Sequence, residues 1–153
     1  MPTLIVLRHA KAVAGLGLAD IDRPLNDRGR RDAAATGEWL RANDLVPDRV
    51  LCSTAVRTRE TLEGLAFQAE VSFEARIYDN DPETLASLVR ETDEDVRALL
   101  LIGHNPSVHQ LVHDLTGDAP DAFPTCALAV IEFTASWAEA WRGTLTVTRT
   151  PKG

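Results

Sequence analysis

The chain has 153 residues, enough for one domain with a buried core and too few for two comfortable ones. With 44% hydrophobic and 25% charged residues and no apolar run near the roughly 20 residues a membrane span needs, it reads as a globular protein that does not cross a bilayer. The formal net charge of −7 argues against a nucleic-acid or anionic-membrane partner, but residues 1–60 hold 10 Lys and Arg against 8 Asp and Glu while residues 61–153 hold 6 against 15, so an anion site should be built mainly from the first part.

The opening MPTLIVL passes straight into a strand-like run without a basic leader or a cleavage site, which leads us to expect a cytoplasmic location. Thr3 to Leu7 and Leu99 to Ile102 are nearly continuous in apolar residues, the signature of central parallel strands covered on both faces. Arg49 to Cys52 and Val71 to Ile77 read as further strands, short and rich in Val, Ile and Leu.

Helical patterns lie between these strands. Asn26 to Asn43 opens on a cap-type residue and carries alanines and Leu40 inward. Val56 to Phe67 repeats apolar residues at helical spacing, and Pro82 to Arg90 places Leu85, Leu88 and Val89 on one face. After the fourth strand Asn105-Pro106 opens another helix, which Gly117 ends.

The tail offers two more strands, Thr125 to Phe133 and Thr144 to Thr148, suited to an antiparallel hairpin at a sheet edge, with the Trp137 segment between them as loop or helical turn. The whole reads as an α/β fold. We expect a three-layer sandwich with a mostly parallel central sheet flanked by helices and an antiparallel edge hairpin near the C-terminus, forming a single domain over residues 1–153.

Ligands in such sheets bind at the carboxyl ends of the strands. Arg8 and His9 follow the first strand, His104 follows the fourth through Gly103, and Arg57 stands in the first turn of the helix after the second, where a helix amino terminus favours an anion. Two guanidinium forks, a second imidazole donor and a neutral imidazole nucleophile suit phosphoryl transfer, in which catalysis is chiefly positioning and electrostatic stabilisation. His9 would attack, and the phosphohistidine formed on it would be split by water. A lone histidine at a strand end is more often structural, but a second one at the matching end of another apolar strand, with an arginine between, makes coincidence the harder account.

These segments also resemble a known family, the histidine phosphatase superfamily and its small SixA-type phosphohistidine phosphatases in particular. "LRHAKA" is similar to the Arg-His-Gly signature with Ala10 in the glycine position, "CSTAVRTRETL" to the second-arginine segment, "LLIGHNP" to the second-histidine segment, and "DRPLNDRG" to an element that SixA-type proteins carry after the first strand. The resemblance spans residues 3 to about 116 in the expected order. It implies His9 as the phosphorylated nucleophile, with Arg8, Arg57 and His104 as catalytic phosphate ligands and Arg23 at the rim; Asn105, next to His104, is expected as a further phosphate contact. It implies no metal, no organic cofactor, and a phosphohistidine-bearing protein as partner, a phosphotransfer domain being one form; a monomer or weak dimer is expected.

Larger members carry a general acid in an inserted region for which this chain has no room. Asp79, Asp81 and Glu83 in "YDNDPE" are the candidates, although such residues also favour turns and caps. Imidazole leaves phosphorus more readily than an alkoxide, so the missing acid tilts the substrate towards P–N bonds. A compact chain without lid insertions should also leave an open, shallow pocket fit for a side chain displayed on a protein.

Other readings are weaker. A cysteine phosphatase separates thiolate and arginine by five residues, whereas four lie between Cys52 and Arg57 and six between Cys52 and Arg59; Cys52 and Cys126 fit reduced core thiols. His109 and His113 have the spacing of a zinc pair but lack the accompanying glutamate and a third ligand, and read as solvent-exposed. A small-molecule phosphomonoesterase or mutase of the same fold, and a phosphate-recognition module without turnover, stay as alternatives.

Overall fold

The computed structural model describes residues 1–15 and 17–151. Its centre is a six-stranded sheet of β1 (Thr3–Arg8), β2 (Arg49–Cys52), β3 (Glu70–Phe73), β4 (Ala98–Gly103), β5 (Leu128–Glu132) and β6 (Thr144–Arg149) in the order β3-β2-β4-β1-β5-β6. The four strands β3, β2, β4 and β1 run parallel, β5 pairs antiparallel with β1, and β6 closes the edge as β5's antiparallel partner. This is the expected three-layer architecture with its edge hairpin, β5 being shorter than the expected Thr125 to Phe133 and β6 running one residue past the expected Thr148.

The helices are α1 (Asp27–Ala42), α2 (Val56–Leu65), α3 (Ala75–Tyr78), α4 (Pro82–Arg90) and α5 (Ser107–Thr116). Alternation along the central strands sorts the core into two layers. Ile5, Leu7, Leu100 and Ile102 meet Ala33 and Leu40 of α1 and Leu65 of α2 on one face. Leu4, Val6, Leu99 and Leu101 meet α4 and α5 on the other. Because both faces are covered, Leu4 to Leu7 are wholly buried, which explains why β1 shows no polar alternation.

Caps fall where the side chains invite them. Asn26 accepts the Gly29 N–H at 2.8 Å and starts α1. Gly117, with φ at 72°, ends α5. Trp137 lies in a 3-10 turn, almost fully buried, and its indole donates to the Val96 carbonyl at 2.8 Å.

One expected element is corrected. The strand read as Val71 to Ile77 stops at Phe73, and the chain turns at Glu74 into the single turn of α3. Val71 and Ile77 are six apart, which suits the strand period of two and carries no sign of the turn between them. The helical choice buries Ile77 completely and directs Tyr78 to the carboxyl edge of the sheet.

Among the described residues no helix is long and apolar enough to cross a membrane.

Candidate active site

Three strand ends open on one edge. β1 and β4 are in parallel register with Arg8 opposite Gly103, so His9 and His104 emerge side by side, and Ser53 follows β2 at the same edge. The backbone of His9 is pinned from both sides, its N–H donating to the Gly103 carbonyl at 3.1 Å and its carbonyl accepting from Cys126 at 2.9 Å. Such fixing keeps a reactive side chain within a narrow range of positions.

The pocket so formed is open, about 340 Å³, and lined by Arg8, His9, Asp20, Arg23, Arg57, Tyr78, Asn80, His104 and Asn105. The two imidazoles lie with ring centroids 5.4 Å apart. His9 Nδ1 is 2.7 Å from the Ala10 carbonyl oxygen. A carbonyl only accepts, so Nδ1 carries the hydrogen and Nε2 is left with its lone pair. Burial, with the charges of Arg57 and Arg8 and the nearby His104 adding to it, pushes the His9 pKa down to about 3 despite the Ala10 bond, so the ring is neutral and nucleophilic at ordinary pH.

His104 Nε2 meets the Ser53 hydroxyl at 2.8 Å. The same oxygen accepts the Ala55 N–H at 3.3 Å, and among the described residues Nε2 is the one acceptor bonded to this hydroxyl, so the Ser53 hydrogen is given to Nε2. His104 Nδ1 then bears a hydrogen and faces no protein acceptor. Burial first and Arg57 second push His104 to about 4.

Arg57, in the first turn of α2, is 6% exposed. Its Nη1 donates to the Asp20 carbonyl at 2.8 Å and its Nη2 to Asp20 Oδ2 at 3.1 Å. Arg8 gives Nη1 to the Phe123 carbonyl at 3.2 Å, and its pKa is lowered by burial and by Arg57. Arg23 stands at the rim, reaching the Val13 carbonyl at 3.0 Å and Asp20 Oδ1 at 3.1 Å. Four of the six buried side-chain polar atoms without a partner among the described residues belong to pocket residues: Arg8 Nε, Arg57 Nε, His104 Nδ1 and Asn105 Oδ1. Three of them are donors, and unpaired buried donors are rare unless a ligand completes them.

The residues picked out in the sequence are thus brought together: Arg8, His9, Arg57, His104, Arg23 and Asn105 all line the pocket. Asn105 has one of its amide hydrogens on the Phe123 carbonyl at 2.7 Å. Asp79, Asp81 and Glu83 do not line it; Asp81 instead caps α4 by accepting the Glu83 N–H and the Thr84 hydroxyl. His109 is corrected from exposed to partly buried, since it stacks on Phe123 and donates to the Pro120 carbonyl at 2.6 Å, while His113 is exposed. Among the described residues no cluster of three His, Cys, Asp or Glu side chains is placed to hold a metal.

Asp20, Tyr78 and Asn80 are pocket residues that sequence reasoning missed. The Tyr78 hydroxyl donates to Asp20 Oδ2 at 2.6 Å; that bond first, then Arg57 and Arg23, hold the Asp20 carboxyl down at about 2. Asn80, at φ 64°, donates to the Asn105 carbonyl at 2.7 Å and accepts the Ser107 N–H at 3.0 Å, tying the α3–α4 turn to the start of α5. The acid two residues before "DRPL" was the one visible signal.

Residues 4–81 match the family model of the histidine phosphatase superfamily, branch 1. The chain is 38% identical over 147 residues to an uncharacterised protein of Mycobacterium tuberculosis, covering 90% of this chain and 93% of that protein. It is 31% identical over 135 residues to the phosphohistidine phosphatase SixA of Escherichia coli, covering 84% and 83%. Among solved structures, a candidate phosphohistidine phosphatase SixA from Nakamurella multipartitia superposes with a TM-score of 0.92 at 30% identity over 99% of this chain and 97% of that one. The protein histidine phosphatase SixA complexed with tungstate gives 0.84 at 25% identity over 95% of each chain.

Proposed function

The chain belongs to the histidine phosphatase superfamily, branch 1, with SixA phosphohistidine phosphatases among its relatives, and from that footing we propose that it hydrolyses the P–N bond of a phosphohistidine displayed on a partner protein. The observation that carries the proposal is the set of buried, unpaired donors of Arg8, Arg57 and His104 gathered around a neutral His9.

His9 Nε2 attacks phosphorus in line with the leaving group, forming one P–N bond as the substrate's P–N bond breaks; the substrate ring, protonated from solvent on its other nitrogen, takes the bonding pair and departs as neutral imidazole. Water then attacks the phosphorus held on His9: its OH stays on the phosphate, its other proton passes to solvent, and Nε2 takes back the bonding pair, releasing inorganic phosphate and restoring the neutral imidazole. Arg8, Arg57 and His104 hold the equatorial oxygens and stabilise the charge spread over them in both steps, with Arg23 at the rim and Asn105 beside His104. Residues 1–153 act as a single domain in this reading.

Imidazole as leaving group fits the pocket's carboxylate. Asp20, held at about 2, is ionised and has no proton to give, so the site suits a bond that breaks without strong acid help. The open pocket admits a side chain standing on a protein surface.

The test is to incubate the protein with a phosphohistidine-bearing phosphotransfer domain and separately with an aryl phosphate ester, trapping acid-labile phosphate on the enzyme. Labelling of His9 with fast loss from phosphohistidine and slow ester turnover is expected, and His9→Ala should abolish both. Brisk ester turnover would move the chain to small-molecule phosphomonoester substrates, and turnover retained in His9→Ala would overturn the covalent route.

A further inference from the structure

Asp20 has no task in phosphoryl transfer as just described, yet it is the one carboxylate among the described residues that lines the pocket. It sits on the arginine that the chemistry needs. With Nη1 on its carbonyl and Nη2 on its Oδ2, both terminal nitrogens of Arg57 are already engaged. Oδ1 takes Arg23 at 3.1 Å and Oδ2 takes the Tyr78 hydroxyl as well. A carboxylate here satisfies two guanidinium groups and a phenol as two oxygens of a bound oxyanion would.

We propose that Asp20 is the resident anion of the phosphoryl subsite, so that a phosphoryl group binds by displacing this carboxylate, and that Asp20 thereby makes the pocket selective for tetrahedral groups carrying two negative charges. The inference rests on the phosphoryl reading of the pocket. Its physical basis is the balance of charge. Arg57 is 7% exposed in its side chain and lies close enough to Arg8 to depress it, so an empty pocket without a counter-charge would hold two repelling guanidinium groups. Asp20 offsets that repulsion while the pocket is empty. Its side chain is 54% exposed and stands on the first residue of the 3-10 turn Asp20–Asp22, so water lies on its outer side and can receive the carboxylate when it is displaced. A dianion gains more from the arginines than the single carboxylate it replaces, whereas a monoanion gains no such advantage.

Asp20→Asn isolates the charge, because the Arg57 bond to the backbone carbonyl survives and the Tyr78 hydroxyl keeps an acceptor. Calorimetric titration with inorganic phosphate near pH 8, and with methyl sulfate as a tetrahedral monoanion, reads the effect. Asp20→Asn is expected to bind phosphate on the order of tenfold more tightly than the parent and to gain measurable affinity for methyl sulfate, which the parent should not bind. Its melting temperature should be lower without phosphate and recover more when phosphate is added. Should Asp20→Asn fold poorly, Tyr78→Phe, which loosens the carboxylate's anchor, should shift phosphate affinity in the same direction by less. Phosphate affinity that is equal or weaker in both variants overturns the inference and leaves the phosphatase reading standing. No phosphate binding by the parent or either variant overturns both.

Discussion

Thr61 holds the Ala10 peptide: its hydroxyl accepts the Ala10 N–H at 3.0 Å and donates to the Arg57 carbonyl at 2.7 Å. The carbonyl of that same Ala10 residue fixes the His9 tautomer, so one buried threonine links the orientation of His9 to the helix that carries Arg57. Thr61→Val keeps the shape and removes the hydroxyl, leaving the buried Ala10 N–H without a partner at a cost of about 1–3 kcal/mol. Turnover should fall further than stability explains, and Thr61→Ser should restore it. A Thr61→Val variant with unchanged kcat would remove the link from the argument.

Acid should weaken the native state through the two pocket histidines. Their folded pKa values, about 3 for His9 and about 4 for His104, lie below the 6.5 of an exposed ring, so in that window the unfolded chain binds protons that the native pocket refuses. Stability is then full above the unfolded value and declines as the pH drops below it, by up to about 2 kcal/mol per ring near pH 5. Urea midpoints measured near neutrality and near pH 5 should show the decline, and a His9→Gln, His104→Gln double variant should lose most of it.

Two glycines of α1 separate stability from activity. A Cβ on Gly37 would lie 2.4 Å from the Leu65 carbonyl oxygen and one on Gly29 would lie 2.1 Å from that of Lys11, both backbone atoms that cannot rotate away. Gly37→Ala should lower the thermal midpoint by pushing α1 off α2, at a cost of about 1–3 kcal/mol. Gly29→Ala presses on the chain two residues beyond His9 and should reduce turnover as well. Melts and turnover of the pair check this, and equal activity in both would count against a coupling between Gly29 and the pocket.

The thiols should be inert. Burial pushes Cys52 to about 12 and Cys126 to about 11, so neither forms thiolate near neutral pH. Native protein should resist iodoacetamide near pH 8 and react at both positions once unfolded. Cys52→Ser should keep its turnover, and a large loss there would reopen thiol chemistry.

Much of this was legible in the chain because the signals were local and periodic. The unbroken apolar runs of β1 and β4 announced central strands, and residues immediately following such runs had few places to go but the sheet's carboxyl edge. Beyond its place two residues before "DRPL", the role of Asp20 was not legible, because its partners Arg57 and Tyr78 are 37 and 58 residues away and no periodicity reaches across a loop. Asp79 and Asp81 drew attention as acids near a strand end, but the chain turns into α3 after Phe73, which brings Tyr78 and Asn80 to the pocket and leaves the acids aside. That turn is decided by the burial of Ile77 against Gly103, a tertiary contact invisible in the local pattern.

The parallel register of β1 and β4 acts as a ruler. Neighbouring strands stand about 4.8 Å apart by the geometry of their backbone hydrogen bonds, and the two imidazoles, one residue beyond the paired Arg8 and Gly103, sit with centroids 5.4 Å apart. The spacing of the two histidine backbones is therefore set by the sheet, and the contacts of Ala10, Thr61 and Ser53 set only how the rings turn on it. Deleting one residue from either strand would not stretch that gap but would turn one histidine to the opposite face of the sheet, since neighbouring residues on a strand point to opposite sides. Side chains elsewhere can change without resetting the spacing of the two histidine backbones, provided the two strands stay in phase.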